Sequence, residues 1–194
     1  VTSAPCAEWT NLSHEDNVFF ITPSASNDDI PKYDNGYQMC FADGNQGEAA
    51  AKYVNENFKG QTIGVFYKSD DNYSSGIFKQ FKKNLDSSVK VVETLFTDAG
   101  ATSFDSQINE LKDCKFIFMP IYYTPATIFM TQAKGKIADD AVYYGCDGFD
   151  GIDSTKGFDI KSIPQEVSML SHFDSSATTG AAGDFIKKYT EKYG

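Results

Sequence analysis

The sequence predicts an α/β protein built on a parallel sheet, and three observations carry that prediction. Short apolar runs alternate with stretches of ten or so residues whose apolar positions fall at helical spacing. The connections between them are short and rich in Gly, Asp, Asn and Ser. Hydrophobic residues make up 41% of the 194, enough to fill a core between such a sheet and its helices. Strands joined through helices form right-handed crossovers, which make neighbouring strands parallel.

The clearest unit is Thr62–Phe81. Thr62–Tyr67 reads as a buried strand, Lys68–Tyr73 as a polar turn, and Ser74 or Ser75 as the cap of a helix carrying Ile77, Phe78, Phe81 and Leu85. Upstream, Ser3 and Pro5 start a helix over Ala4–His14, with Cys6 and Trp9 and then Leu12 or Ser13 on its inner face. Val18–Ile21 is a short strand, Thr22–Ser26 the turn that leaves it, 27–36 a loop, and Tyr37–Phe41 a second strand. Asp43–Gly47 opens a helix over Glu48–Phe58, with Asp43 as its cap. Downstream, strands at Lys90–Phe96, Lys115–Met119 and Ala141–Tyr144 alternate with helices at Ser103–Lys112 and Pro125–Lys134. The loop Gly145–Asp150, a strand at Glu166–Leu170 and a helix at Ala177–Tyr193 complete the chain.

Charge and composition exclude several functions. The net charge of −10 argues against nucleic acid and against anionic membrane surfaces. No run is long and apolar enough to span a bilayer, and Val1-Thr2-Ser3 reads as the start of a processed chain or a fragment. All 17 basic residues are lysine, so an anion must be held by backbone N–H groups, hydroxyls or lysine rather than a guanidinium fork. Cys6, Cys40, Cys114 and Cys146 are widely spaced and form no C-x-x-C. They allow three pairings if oxidised, and they read mostly as free, buried thiols.

In a parallel sheet, ligands bind beyond the C-terminal strand ends. The residues there are Ser24-Ala25-Ser26, Tyr73, Asp98–Thr102, Tyr122-Tyr123 and Asp147-Gly148-Phe149. This set holds hydroxyls, aromatic rings and carboxylates but no histidine, since His14 and His172 lie at a helix end and after the last strand. The chain has no G-x-S-x-G elbow, dinucleotide fingerprint or P-loop, and no metal-ligand spacing surrounds Asp147 and Asp150. Catalysis, a cofactor and a metal are therefore not expected. The set suits a small zwitterion. Asp147 would take an ammonium group, hydroxyls and the helix start at Ser3 a carboxylate, and Tyr73, Tyr122 and Phe149 the side chain.

These residues resemble the branched-chain amino-acid-binding (Leu/Ile/Val-type) receptors of ABC transporters, the type I periplasmic binding proteins. The resemblance rests on VTSAP (1–5), ITPSASN (21–27), CFADGNQGEAAAKY (40–53), DNYSSG (71–76), IYYTPA (121–126) and GCDGFD (145–150), in order over nearly the whole chain. It implies two α/β lobes joined by three crossings. Residues 1–40 would be part of the N-terminal lobe, 41–172 a complete second lobe with a doubly wound parallel sheet, and 173–194 a helix returning to the first. Phe41–Asp43 and Ser171–Asp174 would be two of the crossings. By the same resemblance, Thr2 and Ser3 hold the ligand carboxylate, while Ala25 and Ser26 offer a carbonyl and a hydroxyl. Tyr73 and Tyr122 close over the ligand, with Tyr122 rather than Tyr123 facing the cleft, and Asp147 takes the ammonium. Some members carry Glu at the position of Asp147, and many place Trp at that of Phe149. The implied function is that of an extracytoplasmic solute receptor, periplasmic or a cell-surface lipoprotein, anchored if at all by a lipid outside this chain and delivering an amino acid to ABC permease subunits. The alternative is a ligand-sensing domain of a receptor or transcription regulator on the same fold, and an enzyme ranks third.

Overall fold

The computed structural model describes residues 2–98 and 100–194. A helix, α1 (Ser3–Glu15), leads into two short parallel strands, β1 (Phe20–Thr22) and β2 (Gly36–Gln38). The chain then enters a larger body: α2 (Asp43–Asn57), β3 (Thr62–Lys68), α3 (Asn72–Asn84), β4 (Lys90–Phe96), α4 (Asp105–Leu111), β5 (Phe116–Met119), α5 (Tyr123–Ala133) and β6 (Val142–Gly145). Single 3₁₀ turns follow at Asp147–Phe149, Ile152–Ser154 and Ile160–Ser162, then β7 (Glu166–Met169) and α6 (Gly180–Tyr193). The five-stranded sheet runs in the order β4-β3-β5-β6-β7, and each recorded pairing is parallel.

Period-two alternation sorts the strand residues onto two faces. Ile63, Val65 and Tyr67 of β3 and Phe116 and Phe118 of β5 pack under α2 and α3, with Ala50, Val54, Ile77 and Phe81. Phe66 of β3 and Ile117 and Met119 of β5 pack under α4 and α5, with Ile108, Leu111, Phe129 and Met130. Helices on both faces make the sheet doubly wound, and its central strand β5 is buried throughout. Each fully buried large apolar side chain contributes about 1.5–3 kcal/mol. The two faces therefore hold most of the stability of this body.

Several elements begin away from their predicted ends. α2 starts at Asp43, five residues before Glu48, despite two glycines in its first turns. The reason is the approach of α3: a Cβ on Gly47 would lie 2.5 Å from the Ile77 carbonyl oxygen and 2.7 Å from the Phe81 nitrogen. Close helix packing thus overrides low intrinsic propensity. α3 is capped by Asp71 rather than by Ser74 or Ser75. The Asp71 carboxylate accepts from the Ser74 N–H at 3.0 Å, while the Ser74 hydroxyl accepts from the Lys68 N–H at 2.8 Å. α1 buries Ser3, Cys6, Thr10 and Ser13, and leaves Trp9 45% and Leu12 55% exposed, opposite to the face expected for both. The four cysteines are free thiols, and Cys40 is only half-buried.

Candidate functional site

Because the strands are parallel, the C-terminal ends of β3, β5 and β6 emerge at one edge of the sheet. There they meet the start of α1 and the turn after β1 across a cavity of about 240 Å³. Thr2, Ser24 and Ser26 line one side. Tyr73, Tyr122, Tyr123, Asp147 and His172 line the other, with Gly148 and Asp150 beside them. A larger open groove of about 590 Å³ follows α2 past Glu48, Lys52 and Lys59, but its walls are solvated charges away from the strand ends. The smaller cavity is the one with convergent polar chemistry.

Asp147 is held from several directions. It opens the 3₁₀ turn after β6, and its N–H donates to Gln46 Oε1 of α2 at 3.0 Å. The Tyr73 hydroxyl donates to Oδ1 at 2.7 Å and accepts from the Gly148 N–H at 2.8 Å. His172 Nε2 lies 3.0 Å from Oδ2. Gly148 is required by this packing, since a Cβ there would sit 2.8 Å from both the Tyr73 hydroxyl and the Ile121 carbonyl oxygen. Burial, reinforced by Cys146 and Asp147, raises the Tyr73 phenol well above its ordinary range. The phenol therefore stays protonated and remains a donor to the carboxylate. A carboxylate has about four lone-pair positions, so Asp147 retains acceptor capacity toward the cavity.

Tyr73 is only 1% exposed. It braces Asp147 and lines the cavity with what remains exposed. Its ring stacks on Tyr122 at 4.7 Å and 21°. Tyr122 is half-buried and Tyr123 is 40% exposed, and both line the cavity. Tyr122 is expected to face the cleft in place of Tyr123, but both reach it. Tyr122 is the N-cap of α5 and Tyr123 its first residue, so both stand at the strand-end side of the helix.

Three expected residues, Ser3 and Ala25 on the facing side and Phe149 beside Asp147, do not reach the cavity with the groups assigned to them. Ser3 is buried at 1%, and its Oγ accepts from the N–H groups of Ser26 and Asn27, both at 3.2 Å. Its role is to shape the turn. The Ala25 carbonyl already accepts from Gln38 Nε2 at 2.7 Å and from Cys40 Sγ at 3.4 Å. Phe149 is fully buried in the core beneath α5, folded over Gly145, so it is no wall for a ligand. The helical twist of the 3₁₀ turn separates it from Asp147: the carboxylate faces out and the ring faces in. Thr2 and Ser26 do line the cavity, together with Ser24. Asp98 and Ala101 line an adjoining pocket that shares Tyr122, and Ala99 lies outside the described residues.

His172 was outside the expected set, yet it contacts Asp147 directly and its ring stacks on Phe41 at 3.7 Å. The strand-end rule finds it when applied to β7, which ends at Met169. Asp150 and Gln46 complete the surroundings. Among the described residues no cluster of metal-binding side chains occurs.

Behind the cavity lies Asp43, fully buried, with neither carboxylate oxygen paired at hydrogen-bond geometry among the described residues. Its N–H donates to the Ser26 carbonyl at 2.7 Å. Burial, with the charges of Asp147 and Asp28, pushes its carboxyl up to about 8, although Ser26 and Asn27 pull the other way. The folded state thus holds a proton that the unfolded chain releases above its ordinary value of 3.8. The contribution of Asp43 to stability is greatest below that value and is lost as pH rises toward about 8. In thermal melts, wild type should lose stability between pH 5 and 8, whereas Asp43→Asn should show a flatter slope over about the same range. An equal slope would place the titration elsewhere.

A doubly wound parallel sheet whose strand ends face a second, smaller parallel sheet across a polar cavity defines an α/β ligand-binding protein. The comparison with known families is decisive on kinship: residues 1–194 match the family described as periplasmic binding protein, and the chain belongs to it. A curated relative, the leucine-, isoleucine-, valine-, threonine-, and alanine-binding protein of Pseudomonas aeruginosa, is 30% identical over 155 residues. That match covers 76% of this chain and 40% of the relative, so the aligned part spans less than half of that protein's length. The branched-chain amino acid transporter substrate-binding protein LivJ of Streptococcus pneumoniae, solved in complex with isoleucine, superposes with a TM-score of 0.81 at 26% identity. The superposition covers 99% of this chain and 55% of LivJ. The leucine-binding protein LivK of Thermotoga maritima shares the fold, with a TM-score of 0.83 at 21% identity over 100% of this chain and 55% of that one. The family is one of binding proteins, not of enzymes. Among the described residues no helix is long and apolar enough to cross a membrane.

Proposed function

We infer that this chain supplies the ligand-gripping part of an extracytoplasmic receptor that binds an α-amino acid, branched-chain or related, and passes it to the permease of an ABC importer. The observation that carries this reading is the placement of Asp147. One ionisable carboxylate, braced by Tyr73 and His172, faces hydroxyls and a helix start across a cavity of amino-acid size. An ammonium group has its acceptor on one side. A carboxylate has Thr2, Ser24, Ser26 and the positive end of α1 on the other. The names of the relatives support the substrate class. Residues 1–40 act as part of a first lobe, 41–172 as a second lobe, and 173–194 as a return to the first. The receptor works in the periplasm or at the surface of a Gram-positive cell, with any lipid anchor lying outside this chain.

The test is a thermal-shift screen of the intact receptor against the twenty amino acids. One or a few should raise the melting temperature, since ligand at a hundred times its Kd stabilises by about 2.7 kcal/mol. A flat response across the panel and the common amides would sink this ligand class.

A further inference from the structure

We propose that His172 is a positioning residue of the amino-acid site, orienting Asp147 while neutral and competing with the ligand's ammonium for it when protonated. This rests on the reading of the cavity as an amino-acid site. Three observations lead to it. His172 Nε2 is 3.0 Å from Asp147 Oδ2, the oxygen that Tyr73 does not hold. The imidazole is fixed by stacking on Phe41, at 3.7 Å and 30°, so two connecting segments meet at this ring. His172 also lines the same cavity as Asp147, and about a third of its side chain is exposed to solvent.

The chemistry of the pair depends on one proton. A neutral imidazole with hydrogen on Nε2 donates to Oδ2, completing the clamp begun by Tyr73 and leaving the carboxylate charge available to a cation. In mildly acidic solution a histidine gains a second proton and becomes a cation. With that proton the imidazole, 3.0 Å from Oδ2, would be an internal counter-ion of Asp147, and an incoming ammonium would meet a like charge at the acceptor it needs. Ligand and proton exclude each other, and by linkage each weakens the other by the same factor.

The other groups facing this corner do not supply the same response. Phe41 is uncharged, and Tyr73 and Tyr122 are phenols raised mainly by burial, which keeps them neutral. Asp150 and Tyr123 share the cavity wall, and no lysine is among its lining residues. Asp43 and Cys40 lie behind Asp147 and are both raised, Asp43 to about 8, so Asp43 changes charge on the alkaline side.

The experiment is calorimetric titration of the intact receptor with whichever of L-leucine, L-isoleucine, L-valine, L-threonine or L-alanine binds most tightly. It is run at about pH 5.5 and about pH 7.5 for wild type, His172→Gln and His172→Ala. Wild type should bind about threefold to tenfold more weakly at the lower pH. His172→Gln keeps an N–H donor but cannot gain the proton. It should bind within about twofold of wild type at the higher pH and lose most of the pH dependence. His172→Ala, lacking the donor, should be about threefold to tenfold weaker at the higher pH, with no matching fall in melting temperature. Equal pH slopes in wild type and His172→Gln would overturn the role of His172 while leaving the amino-acid site standing. Failure of wild type to bind any of the five would overturn the underlying reading, and this inference with it.

Discussion

Replacing Asp147 by asparagine is expected to abolish practical amino-acid binding. The variant keeps an acceptor for the Tyr73 hydroxyl and an amide of nearly the same shape, so the turn and its bond to Gln46 survive. What it loses is the charge. Leaving a cation in a partly buried site without its counter-charge costs about 3–5 kcal/mol, which is at least about a hundredfold in Kd. The melting temperature of the unliganded protein should change little or rise, because Asp147 is one of the charges that burden buried Asp43. Titration of the variant with the amino acid that wild type binds best is the measurement. Retained affinity within about tenfold would show that the ammonium rests elsewhere.

The second large effect is on stability. Phe66 is fully buried at the centre of β3, stacked on Phe96 at 5.1 Å and on Phe129 at 4.7 Å, with the edge of Phe104 at 4.9 Å. Phe66→Ala removes a ring that three others pack around, on a sheet face closed by α4 and α5. Rigid aromatic neighbours refill such a space poorly, so the loss should reach about 3–5 kcal/mol. For a chain of this size that is a fall in melting temperature of about 10 °C or more. Denaturant unfolding of both forms tests it, and a loss below about 1 kcal/mol would mean that the core under α4 and α5 relaxes freely.

Much of the architecture could be read before the fold was known. The run Thr62–Tyr67 became a strand one residue longer, at Thr62–Lys68, and Lys90–Phe96 was read to the residue. Apolar runs of this length with β-branched and aromatic residues have no competing helical pattern. The N-terminal segment was less legible. Trp9 looked like the inner face of α1, with Leu12 or Ser13 beside it, but hydrophobicity alone cannot say which side has a partner: Thr10 and Ser13 are buried, while Trp9 and Leu12 are exposed. Thr10 is held by bonds from its hydroxyl to the carbonyls of Cys6 and Ile30 at 3.0 and 3.2 Å, so polar pairing rather than apolar burial sets that face.

The site divides in the same way. Asp147, Tyr122 and Ser26 could be named because they follow strand ends, and Thr2 because of the family resemblance alone; all four line the cavity. The direction of each side chain was beyond such reasoning. Phe149 and Asp147 are two residues apart in one 3₁₀ turn, yet one is core and the other faces the cavity. Ser3 has the hydroxyl expected of it, but spends it on the backbone of a turn some twenty residues away.

The sequence by itself determined the parallel α/β class, the order of strands and helices, and the absence of motifs for catalysis. Those features follow from local periodicity, turn chemistry and composition, which act over a few residues. The tertiary structure alone decided that Tyr73 braces Asp147 from 74 positions away, that His172 joins them, and that the Asp43 carboxylate is buried with no hydrogen-bond partner among the described residues. Each of these depends on a distance of about 3 Å between segments far apart in the chain, and only packing brings such segments together.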